Sequence, residues 1–352
     1  MTRRPSPRPA PPAGQDFGFD VRVAWRRDDP AIEADAIDFW ARNDLLTPDV
    51  DPRQRARELI AAAYKDGRLA AVATATIERI EFLHARMAVI RGATDKAFRR
   101  SHAQLALAVP SREALRSWAV AHSEERVAGA IAFVERSEWG EFTRLPIWPG
   151  SALSLAGYDQ LGRQIRIHWF DHFRFDEEAK PKPLPAAAPV IAADVELRPA
   201  WRLEDPQILA DAAAFWRRLD ILPKTVTPEE RARQLVLVAY QHGRIVGVVT
   251  ADVGVLPQVR ARVAMVRGAV DPDLRRSHVG FAMLLGAPPI LEKWSGENPH
   301  ERLAGIGGIL ESRELAAAQS QPYWPMTRFG LIGFTPDGRQ IRVAWFKDFR
   351  LD

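Results

Sequence analysis

The chain has 352 residues, 47% hydrophobic and 27% charged, with 27 Pro, 22 Gly and no Cys. That composition excludes a fibre or a wholly disordered chain and leaves room for about two domains. Without cysteine there is no disulfide framework, thiolate zinc site, iron–sulfur cluster or cysteine nucleophile. The eight His show no HExxH or similar spacing, so no metal is expected. A net charge of +4 is compatible with a polyanionic ligand but too small to imply nucleic acid.

Taken in order, residues 1–16 form a Pro- and Arg-rich stretch without the apolar core of a signal peptide, and are expected to be a disordered tail. No later stretch approaches the ~20 apolar residues of a membrane span, so a cytoplasmic protein is expected. From Val21 onward the chain is one unit written twice. Phe39-Trp40 recurs as Phe215-Trp216, Arg99-Arg100-Ser101-His102 as Arg275-Arg276-Ser277-His278, and Gly162-Arg163-Gln164-Ile165-Arg166 as Gly338-Arg339-Gln340-Ile341-Arg342. All pairs share an offset of 176, and 63 of the 156 aligned positions from Val21 to Asp176 are identical without a gap. A tandem duplication is implied, with a first domain over 17–176, a Pro/Ala-rich linker over 177–194 and a second domain over 195–352. Such units often pair, so the halves are expected to form a pseudo-dimer.

Within each unit a strand comes first. Asp29-Pro30 and Asp205-Pro206 then place a capping carboxylate before a proline that can occupy the first helical position. Asp51-Pro52 and Thr227-Pro228 open a second helix, each with a Gln or Glu placed for a capping box. In the second half, Leu235 to Tyr240 and Arg244 to Val253 read as a hairpin about His242-Gly243, and Arg262 to Val270 as the next strand. The helix after Arg-Arg-Ser-His contains Pro288-Pro289 and is expected to break or end early. Arg302 to Leu310 reads as a strand with close backbone neighbours, Arg313 to Gln319 as a short helix, and Phe329 to Thr335 with Gln340 to Phe349 as a last hairpin. The paired recurrence of most of the 11 Trp points to core packing rather than a ligand cage.

This order resembles the GCN5-related N-acetyltransferase (GNAT) family: an α/β (α+β) class of fold with a mixed, mostly antiparallel sheet flanked by helices, here twice in tandem. The family's loop after the fourth strand has Arg or Gln, two residues, Gly, one residue, then Gly or Ala. Arg275 to Gly280 is similar to it, with His278 in place of the first glycine. The first half, Arg99 to Gln104, has neither glycine. The physical basis of such a loop is a helix N-terminus whose bare N–H groups bind pyrophosphate.

The resemblance implies an acyl-CoA-dependent N-acyltransferase, with acetyl-CoA or another acyl-CoA as donor and an amine of a small molecule or protein as acceptor. It implies cofactor contacts from Val266, Val270, Arg275, Arg276, Ser277, His278, Val279 and Gly280, with weaker first-half equivalents at Arg99, Arg100, Ser101 and His102. The second half is expected to be catalytic and the first structural or regulatory. A backbone N–H near Met265 or Val266 would stabilise the oxyanion. Tyr323 is the candidate acid for the leaving thiolate, although it also suits packing beside Trp324. Glu311, with Glu135 as its first-half match, is the candidate base, although it equally suits a surface ion pair. The competing reading is a binding or interaction protein in which catalysis has been lost.

Overall fold

The computed structural model describes residues 17–99, 101–136, 140–176, 194–274, 277–311 and 320–351. The expected tail, nearly all of the expected linker and the short helix expected at Arg313 to Gln319 lie outside these residues. The chain divides into two compact units, Met1–Arg174 and Phe175–Asp352.

In the first unit β1 (Asp20–Val23) leads to α1 (Pro30–Asn43) and α2 (Pro52–Ala56), followed by β2 (Leu59–Lys65), β3 (Arg68–Ile80), β4 (Ala85–Thr94), α3 (Ala103–Ala121), β5 (Val127–Val134), β6 (Ser154–Tyr158) and β7 (Gln164–Trp169). The second unit repeats this as β8 (Val195–Pro199), α4 (Pro206–Leu219), α5 (Pro228–Ala232), β9 (Leu235–Gln241), β10 (Arg244–Leu256), β11 (Ala261–Val270), α6 (Val279–Glu297) and β12 (Leu303–Ile309). It closes with β13 (Tyr323–Trp324), β14 (Phe329–Phe334) and β15 (Gln340–Trp345). The short β13 was not foreseen from the sequence.

The helix starts follow the sequence signals. Asp29 Oδ1 accepts from the Ile32 N–H at 3.2 Å, and Asp205 Oδ1 from the Gln207 and Ile208 N–H groups at 2.9 and 3.2 Å. The Thr227–Glu230 box is complete, with Glu230 N–H to Thr227 Oγ1 at 3.2 Å and Thr227 N–H to Glu230 Oε2 at 3.0 Å. The expected break at Pro288-Pro289 does not occur, since α6 continues through both prolines to Glu297. Two backbone donors are lost there, but Met283, Ala287, Pro288 and Leu291 are buried against the sheet, and tertiary burial outweighs the local cost.

The sheets run in the order β1-β2-β3-β4-β5-β7-β6 and β13-β14-β15-β12-β11-β10-β9-β8. Every pairing is antiparallel except β4 with β5 and β11 with β12. Each sheet has a core on both faces, one built with α3 or α6 and the other with α1 or α4. Trp25 meets Trp118 edge to face at 5.8 Å, and Trp201 meets Trp294 in the same way at 5.5 Å, so these recurring tryptophans are packing pairs.

The repeated Gly-Arg-Gln-Ile-Arg segment buries an arginine in each unit. Arg166 Nη2 donates to Thr143 O at 2.7 Å and its Nη1 to Leu145 O at 2.9 Å, with the guanidinium over Trp148. Arg342 Nη2 donates to Gln321 O at 2.6 Å and the group lies over Trp324. Burial pushes both guanidinium pKa values down to about 9. These side chains pin the segment before the last hairpin to the sheet.

His168 on β7 has no second-unit counterpart, since Ala344 stands in its place. Burial, with Arg112 adding to it, pushes His168 down to about 4, against weaker opposing effects of the Ala152 backbone, Glu113 and Asp171. Above about pH 6.5 the ring is neutral folded and unfolded. Below that value only the unfolded chain takes up the proton, so stability falls with pH until about 4, by roughly 3 kcal/mol in all. His168→Ala should flatten this part of the profile in urea melts between those limits, and an unchanged slope would refute the assignment.

Candidate functional site

The two parallel pairs are short. In the second unit β11 and β12 pair from Arg262/Leu303 to Met265/Gly307, with a register shift after Arg262. Beyond that point β11 continues to Val270 paired only with β10, while β12 continues to Ile309 paired with β15. A wedge therefore opens between two neighbouring strands inside one sheet, and Val266 is the first residue past the last pair. In the first unit the same parting follows Val89/Ile131. Backbone groups lining such a wedge lack ladder partners on that side and can receive an extended, amide-containing ligand as an added strand would be received.

The side chains at the wedge differ between the units. On β12 the wedge begins at Gly307-Gly308. A Cβ on Gly307 would lie 2.6 Å from Met265 Sδ and 3.0 Å from Val263 Cγ1, whereas at Gly308 the nearest atom, Val266 O, is 3.9 Å away. The corresponding first-unit residues are Ile131 and Ala132, both buried. Met265 and Val263 fill the space over Gly307, so the second-unit edge is open at Gly308, where the first unit carries the buried Ala132. The sequence marked these glycines only as strand residues with close neighbours; comparison with Ile131-Ala132 was the signal that could have exposed their role.

Above the wedge, β11 runs under the start of α6. His278, the N-cap, has φ +62° and provides no side-chain cap. The first-turn amides of Val279, Gly280 and Phe281 thus receive no help from it, at the positive end of a 19-residue helix. Ser277 is committed to the loop, its Oγ donating to Leu274 O at 2.7 Å and its N–H to the same oxygen at 3.0 Å. Arg275 and Arg276, and Arg100 in the first unit, lie outside the described residues. Arg99 is described, as the residue closing the short turn after Asp95.

Between wedge and helix start lies Gly268, where a Cβ would meet nothing nearer than Val248 O at 3.9 Å. The matching first-unit ground is occupied. Gln104, which stands where the second unit has Gly280, folds back so that its Nε2 donates to Ala93 O at 2.6 Å. Its Oε1 would be 2.6 Å from a Cβ on Gly92, the counterpart of Gly268. Ser101 and His102 repeat the loop geometry of Ser277 and His278, including the His102 φ of +66°. The first unit thus keeps the helix start but blocks the route to it.

Asp271 holds the loop in place. Its Oδ2 pairs with Arg218 of α4 at 2.6 Å and faces Arg244 at 3.8 Å, and its Oδ1 accepts from the Asp273 N–H at 3.3 Å. The Arg218 hydrogen bond keeps this carboxyl below the ordinary carboxylate range despite burial. Asp95 does the same in the first unit with Arg42 at 3.2 Å and Arg68 at 2.8 Å.

The structure does not bring every expected residue to the wedge. Val266, Val270, Ser277, His278, Val279 and Gly280 gather along β11 and the start of α6. Glu311, just after β12, forms an exposed ion pair with Arg339 at 3.4 Å, and Glu135 one with Arg163 at 3.3 Å. Tyr323 sits on β13 at the sheet edge, with β14 and β15 between it and β12. Burial raises its pKa, with Arg328 opposing. Among the described residues no group of three or more His, Cys, Asp or Glu could hold a metal ion.

A mixed sheet in this order, with one parallel pair that splays beneath the N-terminus of a long helix, decides the fold. The chain is two tandem α/β units, each a mixed, mostly antiparallel sheet flanked by helices. No protein-family model matches the sequence, and no curated protein matches it. Among solved structures, it is similar to a GNAT-family acetyltransferase from Streptococcus pneumoniae at 15% identity, over 43% of this chain and 99% of that one, with a TM-score of 0.30. It is also similar to the ribosomal-protein-S5-alanine acetyltransferase from Vibrio fischeri, at 12% identity over 46% of this chain and 98% of that one, with a TM-score of 0.31. A third is a GNAT-family acetyltransferase from Brucella melitensis in complex with acetyl-CoA, at 11% identity over 44% of this chain and 90% of that one, with a TM-score of 0.25. Each likeness spans less than half of this chain, and at such identities nothing about activity carries over.

Proposed function

We propose that the second unit is an acyl-CoA-dependent N-acyltransferase, that it carries an acetyl or other acyl group to an amine of a small molecule or protein, and that the first unit is structural or regulatory. The observation that carries this reading is the open ground of the second unit at Gly308 and Gly268, leading to the uncapped start of α6, set against Ala132 and Gln104 at the matching places in the first.

These residues fit the donor. A bound acyl-CoA supplies a thioester, from which an amine takes the acyl group as the C–N bond forms, the C–S bond breaks and sulfur leaves with the electron pair; the nitrogen gives up a proton and the thiolate takes one. The β11 edge from Val266 offers unpaired backbone groups to the amide-bearing arm. The first turn of α6 binds the pyrophosphate through the Val279, Gly280 and Phe281 amides, with Arg275 and Arg276 adding charge-assisted contacts. A backbone N–H at the mouth of the wedge, near Met265 or Val266, stabilises the oxygen that becomes negative during transfer. Tyr323 and Glu311 remain the candidates for proton transfer.

A second reading is favoured by one observation: Glu311 is ion-paired and Tyr323 stands on the edge strand. On that reading the second unit binds the donor and transfers nothing. Isothermal titration of acetyl-CoA followed by a coenzyme A release assay with amines separates the two. Binding at one site per chain with release supports transfer, binding without release supports the second reading, and no binding overturns both.

A further inference from the structure

The face of β11 turned away from α6 carries more positive charge than the fold neutralises. Val266 and Val270 pack into the α6-side core and Ala269 into the α4-side core, so strand alternation puts Met265 and Arg267 on the α4 and α5 face. Met265 is the last residue before the strands part. Its register partner on β10 is Asp252, and that of Arg267 is Thr250, two residues along on the same face. Arg231, in the last turn of α5, lies near enough to Arg267 and Asp252 to feel both: burial first and then Arg267 lower its pKa, while Asp252 opposes them. Its Nη1 donates to Gln234 Oε1 at 2.9 Å. Arg267 has no ion pair or hydrogen bond among the described residues.

The first unit shows how the same positions look when neutralised. Arg55 pairs with Glu58 at 2.6 Å, and Arg91 reaches Glu78 at 3.9 Å. In the second unit Gln234 replaces Glu58, Gly254 replaces Glu78 and Asp252 replaces Thr76. Two carboxylates have been removed from beside two arginines, and one has been placed across from Met265. On this face Arg231 and Arg267 have one carboxylate, Asp252, between them, which leaves a net positive charge suited to receiving an anion.

We infer that the second unit selects acceptors of the amino-acid class, in which Arg231 and Arg267 hold the carboxylate while Asp252 draws the amine toward Met265 at the mouth of the wedge. This rests on the acyltransferase reading above. The test is coenzyme A release from acetyl-CoA by the full chain with matched acceptors: lysine against cadaverine, tyrosine against tyramine, and phenylalanine against phenethylamine. In at least one pair the amino acid should be favoured by about tenfold or more in kcat/KM. Arg267→Ala and Arg231→Ala should each remove most of that preference through KM, Arg267→Lys should restore part of it, and Arg91→Ala in the first unit should leave it intact. Acetyl-CoA titration of every variant checks that the donor site survives. Equal use of acid and amine, a preference that survives Arg267→Ala and Arg231→Ala, or no turnover of any amino acid while acetyl-CoA binds would overturn the inference alone. Absence of acetyl-CoA binding to the unaltered chain would overturn the acyltransferase reading and this inference with it.

Discussion

Gly280→Gln should weaken acetyl-CoA binding to the full chain by at least about a hundredfold, some 2.7 kcal/mol, while leaving the protein folded. The substitution copies the first unit, where Gln104 lies over Gly92 and donates to Ala93 O. Laid over Gly268 in the same way, the new carboxamide would fill the route between the wedge and the helix start and would bring a hydrogen-bonding competitor to the β11 edge. Size rather than the mere presence of a Cβ is decisive, because a Cβ on Gly280 meets only Val270 Cγ2, at 3.3 Å. Gly280→Ala should therefore keep most of the affinity. The reverse change, Gln104→Gly, clears the first-unit route but leaves Ile131 and Ala132 at the wedge, so no second site should appear. Titration calorimetry reads all three variants, and wild-type affinity in Gly280→Gln would remove the main support for the donor path.

Asp271→Ala should cost about 1 to 3 kcal/mol of stability, the range for leaving a hydrogen-bonded partner of a buried group unsatisfied, since Arg218 stays partly in water. The carboxylate is almost fully buried, and without it Arg218 and the Asp273 N–H lose their acceptor. Asp95→Ala should be at least as damaging, since Arg42, Arg68 and the Ala97 N–H all converge on that carboxylate. The pH dependence has a fixed sign. A carboxyl whose folded pKa lies below its unfolded value contributes its full stability above the unfolded value, near 4, and loses it as pH falls toward the folded one. The gap between wild type and Asp271→Ala in urea midpoints should therefore be widest near neutrality and narrow in acid. A gap that does not change with pH would show that Asp271 acts by packing rather than by charge.

How far the site could be read from the chain varied residue by residue. The caps at Asp29, Asp205 and Thr227 were legible because a cap is local: side-chain oxygen, proline and amide lie within four residues of one another. The loop from Arg275 to Gly280 was legible for the same reason. Gly268 was not singled out, because its importance comes from what fails to fold over it, and only the contrast with Gln104 shows that. Pro288-Pro289 misled because a local rule gives the cost of two missing donors but not the burial of Met283, Ala287 and Leu291 that outweighs it. Tyr323 and Glu311 were selected by their place in the chain. Neither has a sequence marker for its distance from the wedge, since strand order separates β13 from β12 by two strands that come later in the chain.

The sequence by itself determined that this protein is a duplicated α/β unit, that each copy opens its first two helices at Asp-Pro or Thr-Pro, and that the second copy kept Gly280 where the first did not. Those properties are carried by repetition, short-range hydrogen bonding and backbone freedom, all of which a linear string records. Only the tertiary structure decided where the parallel strands part, that Gly308, Gly268 and Gly280 line open ground from the parting to the start of α6, and that Arg231, Arg267 and Asp252 share the other face of the sheet. These are relations between residues as many as 77 positions apart, from Arg231 to Gly308. They are set by strand order and register, which follow from the burial of both sheet faces at once and not from any single segment.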